Sequence, residues 1–228
     1  MGNYLDHYCE RVAAGLWDEP FNVLSNLGFF IVAYLCWRNY QKHKVEVSAL
    51  KPDIVVLIIL MFFIGVGSSL WHIYATQFTL WADRIPILLF INIYLLSCLF
   101  RGLHCRVPCG IGVFALYHIV GITVLISLPL DTLNGSLFYL PTWLSLGLLC
   151  IVVWRQNIDP KRYYLMTFAL FGIAILFRSI DLRLCETLSI GTHFIWHLLV
   201  SATLYPAMLA LVHTTSMQNI RATKILGK

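Results

Sequence analysis

The segment GTHFIWHLL places His193 and His197 four residues apart, a spacing that puts both imidazoles on one face of a helix, one turn from each other. Two imidazoles so placed can ligate one zinc ion. A third ligand from another helix then leaves the fourth tetrahedral position to water, as catalytic zinc requires. His72, closing the stretch GVGSSLWH, is the candidate third ligand. Bound zinc brings the pKa of its water down to about 7, which gives hydroxide at neutral pH and points to hydrolysis. Ser68 lies four residues before His72 on the same helical face, where its hydroxyl can donate to a developing oxyanion or a metal-bound water. Asp83, in WADRIP, can accept the water's proton and return it to a leaving amine. Gly65 and Gly67 allow another helix or a substrate chain to approach closely.

The elements that position these groups lie in a membrane. Hydrophobic residues make up 59% of the 228, charged residues 12%, and the mean hydropathy is +0.78. A soluble domain carries about 25% charge, so a chain this short needs lipid to cover its apolar surface. Apolar runs predict helices over about 21–40, 53–73, 80–100, 109–128, 136–154, 163–180 and 190–213, each near the ~20 residues that cross the hydrocarbon. Helices and closed barrels alone satisfy their backbone in lipid, and continuous runs of this length favour helices. The expectation is an all-α integral membrane protein, a bundle of seven transmembrane helices forming one domain over residues 1–228.

Four of the 16 Lys and Arg residues (Arg11, Arg84, Arg178 and Arg183) fall on one side of this arrangement. The other twelve, among them Arg38, Lys42, Lys44, Arg101, Lys161 and Lys228, fall on the opposite side. That bias predicts the N-terminus outside and the C-terminus in the cytoplasm. The net charge of +5 therefore reads as a topology signal, and no nucleic-acid partner is expected. The first twenty residues show no basic segment followed by an apolar one, so no cleavable signal peptide is expected. Asp6 stands where a myristoylation signal needs Ser or Thr.

With this orientation His72 ends the second span, Asp83 opens the third in its first turn, and His193 and His197 open the seventh. Four unusual residues from three helices meet at one depth. Each has a plainer alternative. A histidine inside a span often serves as an interhelical hydrogen-bond partner, the reading given to His118; His7, His43, His104 and His213 read as loop or interface residues. Asp83 could instead form a structural ion pair with Arg84 or another base, and Ser68 could simply pack or bond its own helix.

Taken together, YCERVAAGLWDEPFNVLSN, GVGSSLWH with the aspartate of WADRIP, and DLRLCETLSIGTHFIWH resemble the alkaline ceramidases, in the superfamily of seven-helix membrane hydrolases and related receptors. The resemblance runs along nearly the whole chain. It implies an intramembrane zinc amidase that cleaves ceramide to a sphingoid base and a fatty acid. By motif match it also implies zinc on His72, His193 and His197, with Ser68 and Asp83 as catalytic neighbours, which agrees with the reading from spacing. Alkaline ceramidases also carry a calcium site in the amino-terminal segment, and there Glu10 and Glu19 match. His7 and Val12 replace the expected aspartate and asparagine, and the spacing from Cys9 to Glu19 is shorter. Calcium wants six to eight oxygens, so at most a weak site is expected; the alternative for both glutamates is a solvated face beside the membrane. Cys9 and Cys185 fall on the outer side, where a disulfide consistent with the family pattern can form. Cys36, Cys98 and Cys150 read as packing residues, and His104, Cys105 and Cys109 as an ordinary loop with reduced thiols.

The expected partners are the bilayer and a lipid substrate held in a cavity among the helices. The membrane is the plasma membrane if the chain is bacterial and the ER or Golgi if it is eukaryotic, with the site towards the periplasm or lumen. The alternatives are hydrolysis of another acyl lipid, such as an N-acyl amino acid or a glycerolipid ester, and a zinc-containing seven-helix lipid receptor. A structural zinc with Asp83 as a fourth ligand is the remaining one. Oligomeric state is not readable from the sequence.

Overall fold

The computed structural model describes residues 5, 8–13, 15–43, 51–129 and 131–226, without the side chains of His43 and of residues 215–226. Asp6, His7, Lys44 and Lys228 lie outside the described residues, as do the side chains of His43, Arg221 and Lys224. Eight α-helices follow one another: α1 (Pro20–Ser25), α2 (Leu27–His43), α3 (Pro52–Tyr74), α4 (Gln77–Ser97), α5 (Val107–Ser127), α6 (Leu140–Arg155), α7 (Lys161–Ile180) and α8 (His193–Leu226). Among the described residues there is no strand. Seven helical stretches are long and apolar enough to cross a membrane, the first of them running from α1 into α2 over Pro20–Lys42. All seven coincide with the expected spans to within a few residues. Pro20 and Pro52 open α1 and α3, where a missing N–H costs nothing because the first helical amides have no intrahelical partner.

Two helix starts differ from the sequence reading in a way that bears on the site, and α8 runs on to Leu226, beyond the expected end near 213. Apolar residues suggest that the third span starts at residue 80, but α4 starts at Gln77. Thr76 accepts from the Thr79 amide while the Thr79 hydroxyl accepts from the Thr76 amide, so a capping box begins the helix earlier. Asp83 consequently lies in the second turn, one turn deeper than its expected place. The seventh helix starts at His193 rather than about residue 190. The Asp181 carboxylate accepts from the Thr192 and His193 amides at 2.6 and 3.0 Å, capping the helix from a distant part of the chain.

Between α3 and α4 the chain turns over Ala75 and Thr76 alone, with Ala75 at φ 52°. So short a turn lays the two helices antiparallel and close. Gly67 on α3 then faces Ala82 on α4, and a Cβ on Gly67 would meet the Ala82 carbonyl oxygen at 2.1 Å. Gly65 accommodates Phe29 and Phe30 of α2 in the same manner. α3 also packs against α2, α8 packs against α7 and α2, and α5 rests at the rim. At the end remote from the histidines Tyr40, Ile54, Leu57, Met61, Met208 and Leu211 are fully buried. The residues that face outward along α5, Ile111, Leu116, Ile119, Ile122 and Ile126, are large and apolar, as a lipid-covered surface requires.

Candidate active site

His72 from the last turn of α3 and His193 and His197 from the first turns of α8 converge, with one ring nitrogen from each lying within 4.8 Å of the others. They are 1%, 2% and 3% exposed. His72 Nε2 and His197 Nε2 are 3.2 Å apart. Two polar contacts decide which nitrogen of two of the rings faces the centre. His72 Nδ1 donates to Glu19 Oε2 at 2.6 Å, which leaves the Nε2 lone pair free. His197 Nδ1 lies 2.8 Å from Ser25 Oγ, and that hydroxyl already donates to the Asn22 carbonyl at 2.9 Å. The Ser25 oxygen therefore accepts from Nδ1–H, and Nε2 of His197 is again free. Ligand histidines are held in this way, by an acceptor on the nitrogen that faces away from the metal. Three buried imidazoles, two of them so oriented, fit a zinc site with a fourth position left over.

His193 is held differently. Its backbone amide is capped by Asp181, the Tyr8 ring stacks on its imidazole with centroids 3.9 Å apart, and an Arg178 Nη1 approaches its Nδ1 at 3.5 Å. Arg178 lies 5.6 and 5.4 Å from the Tyr139 and Trp196 ring centroids and bonds the Tyr8 side chain.

Ser68 is buried, with its hydroxyl 3.5 Å from His197 Nε2 and close enough to the Asp83 carboxylate to interact with it. Asp83 stands beside the group that could hold a metal rather than within it, since among the described residues that group comprises the three histidines. Its charge interacts with Arg178 and Arg84. Ser68, Asp83, His193 and His197 form the polar end of a cavity that runs down between the helices. Farther along, Phe90, Leu95, Leu146, Leu149, Phe171 and Leu204 line it. A chain of methylenes fits such walls.

Glu10 and Glu19 are 8% and 0% exposed, so neither lies on a solvated face. Burial pushes both carboxyls up from their ordinary value, against the donors that hold them. Glu10 accepts from the Phe21 and Asn22 amides at 2.8 Å each, capping α1. It does so in place of Glu19, whose side chain turns away to His72, to Asn22 Nδ2 at 2.9 Å and to the Arg11 guanidinium. Both carboxylates are thus fully engaged by protein donors. Cys9 and Cys185 are joined in a disulfide, and Cys9 N donates to Asp181 Oδ2 at 3.3 Å. Gly191 packs where any Cβ would meet Asp181 Oδ1 at 2.2 Å, and its φ of +61° is one that glycine adopts freely. Cys36 and Cys98 are buried, and Cys105 and Cys109 are free thiols at the surface or close to it. His118 Nε2 meets Asn92 Oδ1 at 2.8 Å, the interhelical partnership expected of it.

A bundle of seven membrane-length helices, with a buried three-histidine group at the polar end of an apolar cavity, defines a multi-pass membrane protein with the makings of a metal-dependent lipid enzyme. The family model described as Ceramidase matches residues 6–226, and the chain belongs to that family, whose activity is amide hydrolysis of a lipid. No curated protein matches the chain.

Proposed function

We propose that this protein is an intramembrane zinc-dependent amidase that hydrolyses ceramide, or a closely related acyl amide, to a sphingoid base and a free fatty acid. The observation that carries the reading is the juxtaposition of the three-histidine group with Ser68 and Asp83 at the mouth of a long apolar cavity. Zinc held by His72, His193 and His197 supplies a Lewis acid and a water acidified to near neutrality. Asp83 takes the proton of the attacking water and returns it to the amide nitrogen, so that the C–N bond breaks with a neutral amine leaving. The Ser68 hydroxyl, directed at Asp83 while that carboxylate is charged, donates to the substrate's oxyanion once Asp83 carries the proton. Glu19 and Ser25 hold two histidine rings still through the cycle, so no reorganisation is needed as charge develops. The apolar walls hold the acyl chain and keep bulk water from the scissile bond.

The distribution of Lys and Arg supports an N-terminus outside and a C-terminus in the cytoplasm. The disulfide at the histidine end agrees with an active site facing the periplasm or a lumen, where disulfides persist. The whole chain acts as one catalytic domain.

The test is hydrolysis of a long-chain ceramide by the detergent-purified protein, read by mass spectrometry, with His193→Ala and Asp83→Asn alongside. Wild type releases sphingoid base. His193→Ala loses zinc and turnover together. Asp83→Asn keeps zinc and loses turnover by about 10²-fold or more, the scale of a proton-transfer group. Full activity of Asp83→Asn removes the acid–base role. Release from an N-acyl amino acid but not from ceramide moves the assignment to that substrate.

A further inference from the structure

Arg11 is a charged side chain in an apolar protein, and it is 4% exposed. Three of its nitrogens point in fixed directions to three oxygens. Nε donates to Glu19 Oε1, Nη1 to the Leu5 carbonyl, and Nη2 to the Trp71 carbonyl at 3.3 Å. Its guanidinium lies 4.6 Å from the Trp71 ring centroid and 5.4 Å from that of Tyr8. These contacts join parts of the chain that nothing local brings together. Leu5 belongs to the amino-terminal strap, which is also pinned by its amide to the Ala75 carbonyl at 3.0 Å. Trp71 is the residue immediately before His72 on α3, and Glu19 is the acceptor of His72 Nδ1.

The guanidinium therefore holds the His72 ring from two directions. Through the Trp71 carbonyl it ties down the turn of α3 that carries the ring. Through Glu19 Oε1 it sets the carboxylate so that Oε2 meets Nδ1. With that bond in place the Nε2 lone pair faces His197 and the rest of the group. Without a cation at this place, a carboxylate with no exposure would have only Asn22 and His72 as donors, and a buried charge so poorly paired is costly. The planar fork matters as well as the charge. A lysine ammonium is a single point and cannot span three acceptors held at these angles.

We propose that Arg11 is a positioning residue of the metal centre, a built-in cation that sets Glu19 on His72 and so fixes the orientation in which His72 can ligate. The proposal rests on the reading that the three histidines hold zinc. It requires Arg11 to act on metal retention beyond any general effect on folding.

The experiment measures zinc per protein in the purified full-length chain, and zinc loss to a competing chelator, for wild type, Arg11→Lys, Arg11→Gln and Glu19→Gln. Val153→Ala serves as a control: Val153 is a buried core residue on α6, a helix that supplies none of the metal-ligating group, and its truncation loosens the bundle. Removing such an outer partner costs about 10–100-fold in metal affinity. Arg11→Gln and Arg11→Lys are expected to lose zinc to the chelator at concentrations lower by that factor. Val153→Ala lowers the melting temperature yet keeps wild-type zinc affinity. The double variant Arg11→Gln/Glu19→Gln is expected to be little worse than the weaker single, because both substitutions break one chain of contacts. Zinc affinity of wild type and Arg11→Gln that agree within twofold overturns the proposal, as does a loss no larger than that of Val153→Ala at equal melting temperature. A wild-type protein that takes up no zinc overturns the zinc reading itself and the proposal with it.

Discussion

Helices α3 and α8 differ from α5 in a way that hydropathy does not register. The spanning windows of α3 and α5 have mean hydropathies of 2.6 and 2.2, yet 56% of the first is buried inside the protein and only 6% of the second; α8, the least apolar of the three at 1.7, is 67% buried. Lipid tails and a protein core are equally apolar, so a helix needs the same composition to face either. What separates the two kinds is the distribution of small and polar residues. Gly65, Gly67 and Ser68 on α3, and Ser201, Thr203, Ala207 and Ala210 on α8, let neighbouring helices close upon them. The large outward side chains of α5 are isoleucine, valine and leucine, and its small residues Gly112 and Ala115 face outward too, with no helix closed upon Gly112. In this protein the groups that do chemistry sit where helices approach closely enough to enclose them.

Gly67→Ala breaks that enclosure most directly. The added methyl meets the Ala82 carbonyl, a backbone atom that cannot rotate away, so α3 and α4 must separate and Ser68 withdraws from Asp83. A displacement of about 1 Å in a catalytic constellation costs on the order of 10²-fold in turnover. The three histidines proposed to hold zinc lie on α3 and α8, so metal content is expected to stay at the wild-type level. Measuring turnover and zinc on the same preparation separates the two effects, and wild-type turnover in Gly67→Ala would show that the α3–α4 contact does not set the geometry. The next effect in size is on the fastening of the amino-terminal segment to the connection between α7 and α8. Cys9→Ser with Cys185→Ser removes the covalent link across which Asp181 caps α8, and the expected loss is about 2–4 kcal/mol of stability. A lowered melting temperature under non-reducing conditions, with none under reducing ones, is the signature.

The parts of the site legible in the sequence were those that chemistry and helical period specify together. His193 and His197 share a face because four residues make a turn, and His72, Ser68 and Asp83 were placed by the ends of apolar runs. Asp83 was placed one turn too shallow because the Thr76 cap lies in a polar stretch that hydropathy leaves out of the helix. In the sequence Arg11 reads only as a topology charge, and Ser25, Asn22 and Asp181 carry no signal of a role at the site. Arg11, Ser25 and Asp181 act on residues eight or more positions away, Asn22 acts on Glu19 and Ser25 rather than on a histidine, and no spacing rule connects the four to the metal-binding candidates. In the sequence Glu19 reads as a weak calcium ligand by resemblance or as a solvated residue, since nothing local announces that its two oxygens are taken by Arg11, Asn22 and His72. The signal available was composition: with only 12% charged residues, a charged cluster beside Cys9 needs buried partners.

The smallest expected effect lies on α5 and sharpens the same contrast. His118 is also an imidazole in a span, but its polar partner is Asn92 Oδ1 on α4, at 2.8 Å, and the rings of Phe114 and Tyr117 lie beside it. An interhelical hydrogen bond within a membrane contributes about 0.6 kcal/mol, because the alternative state also finds partners. His118→Leu restores apolar surface in exchange for that bond. The expected result is a melting temperature within a degree or two of wild type, unchanged zinc content and unchanged turnover. Asn92 keeps its bond to the Leu88 carbonyl at 2.7 Å, so the substitution leaves its amide donor satisfied. A large fall in turnover would mean that α5 presses on the cavity through His118, and that the rim is as tightly coupled to the chemistry as the enclosed helices are.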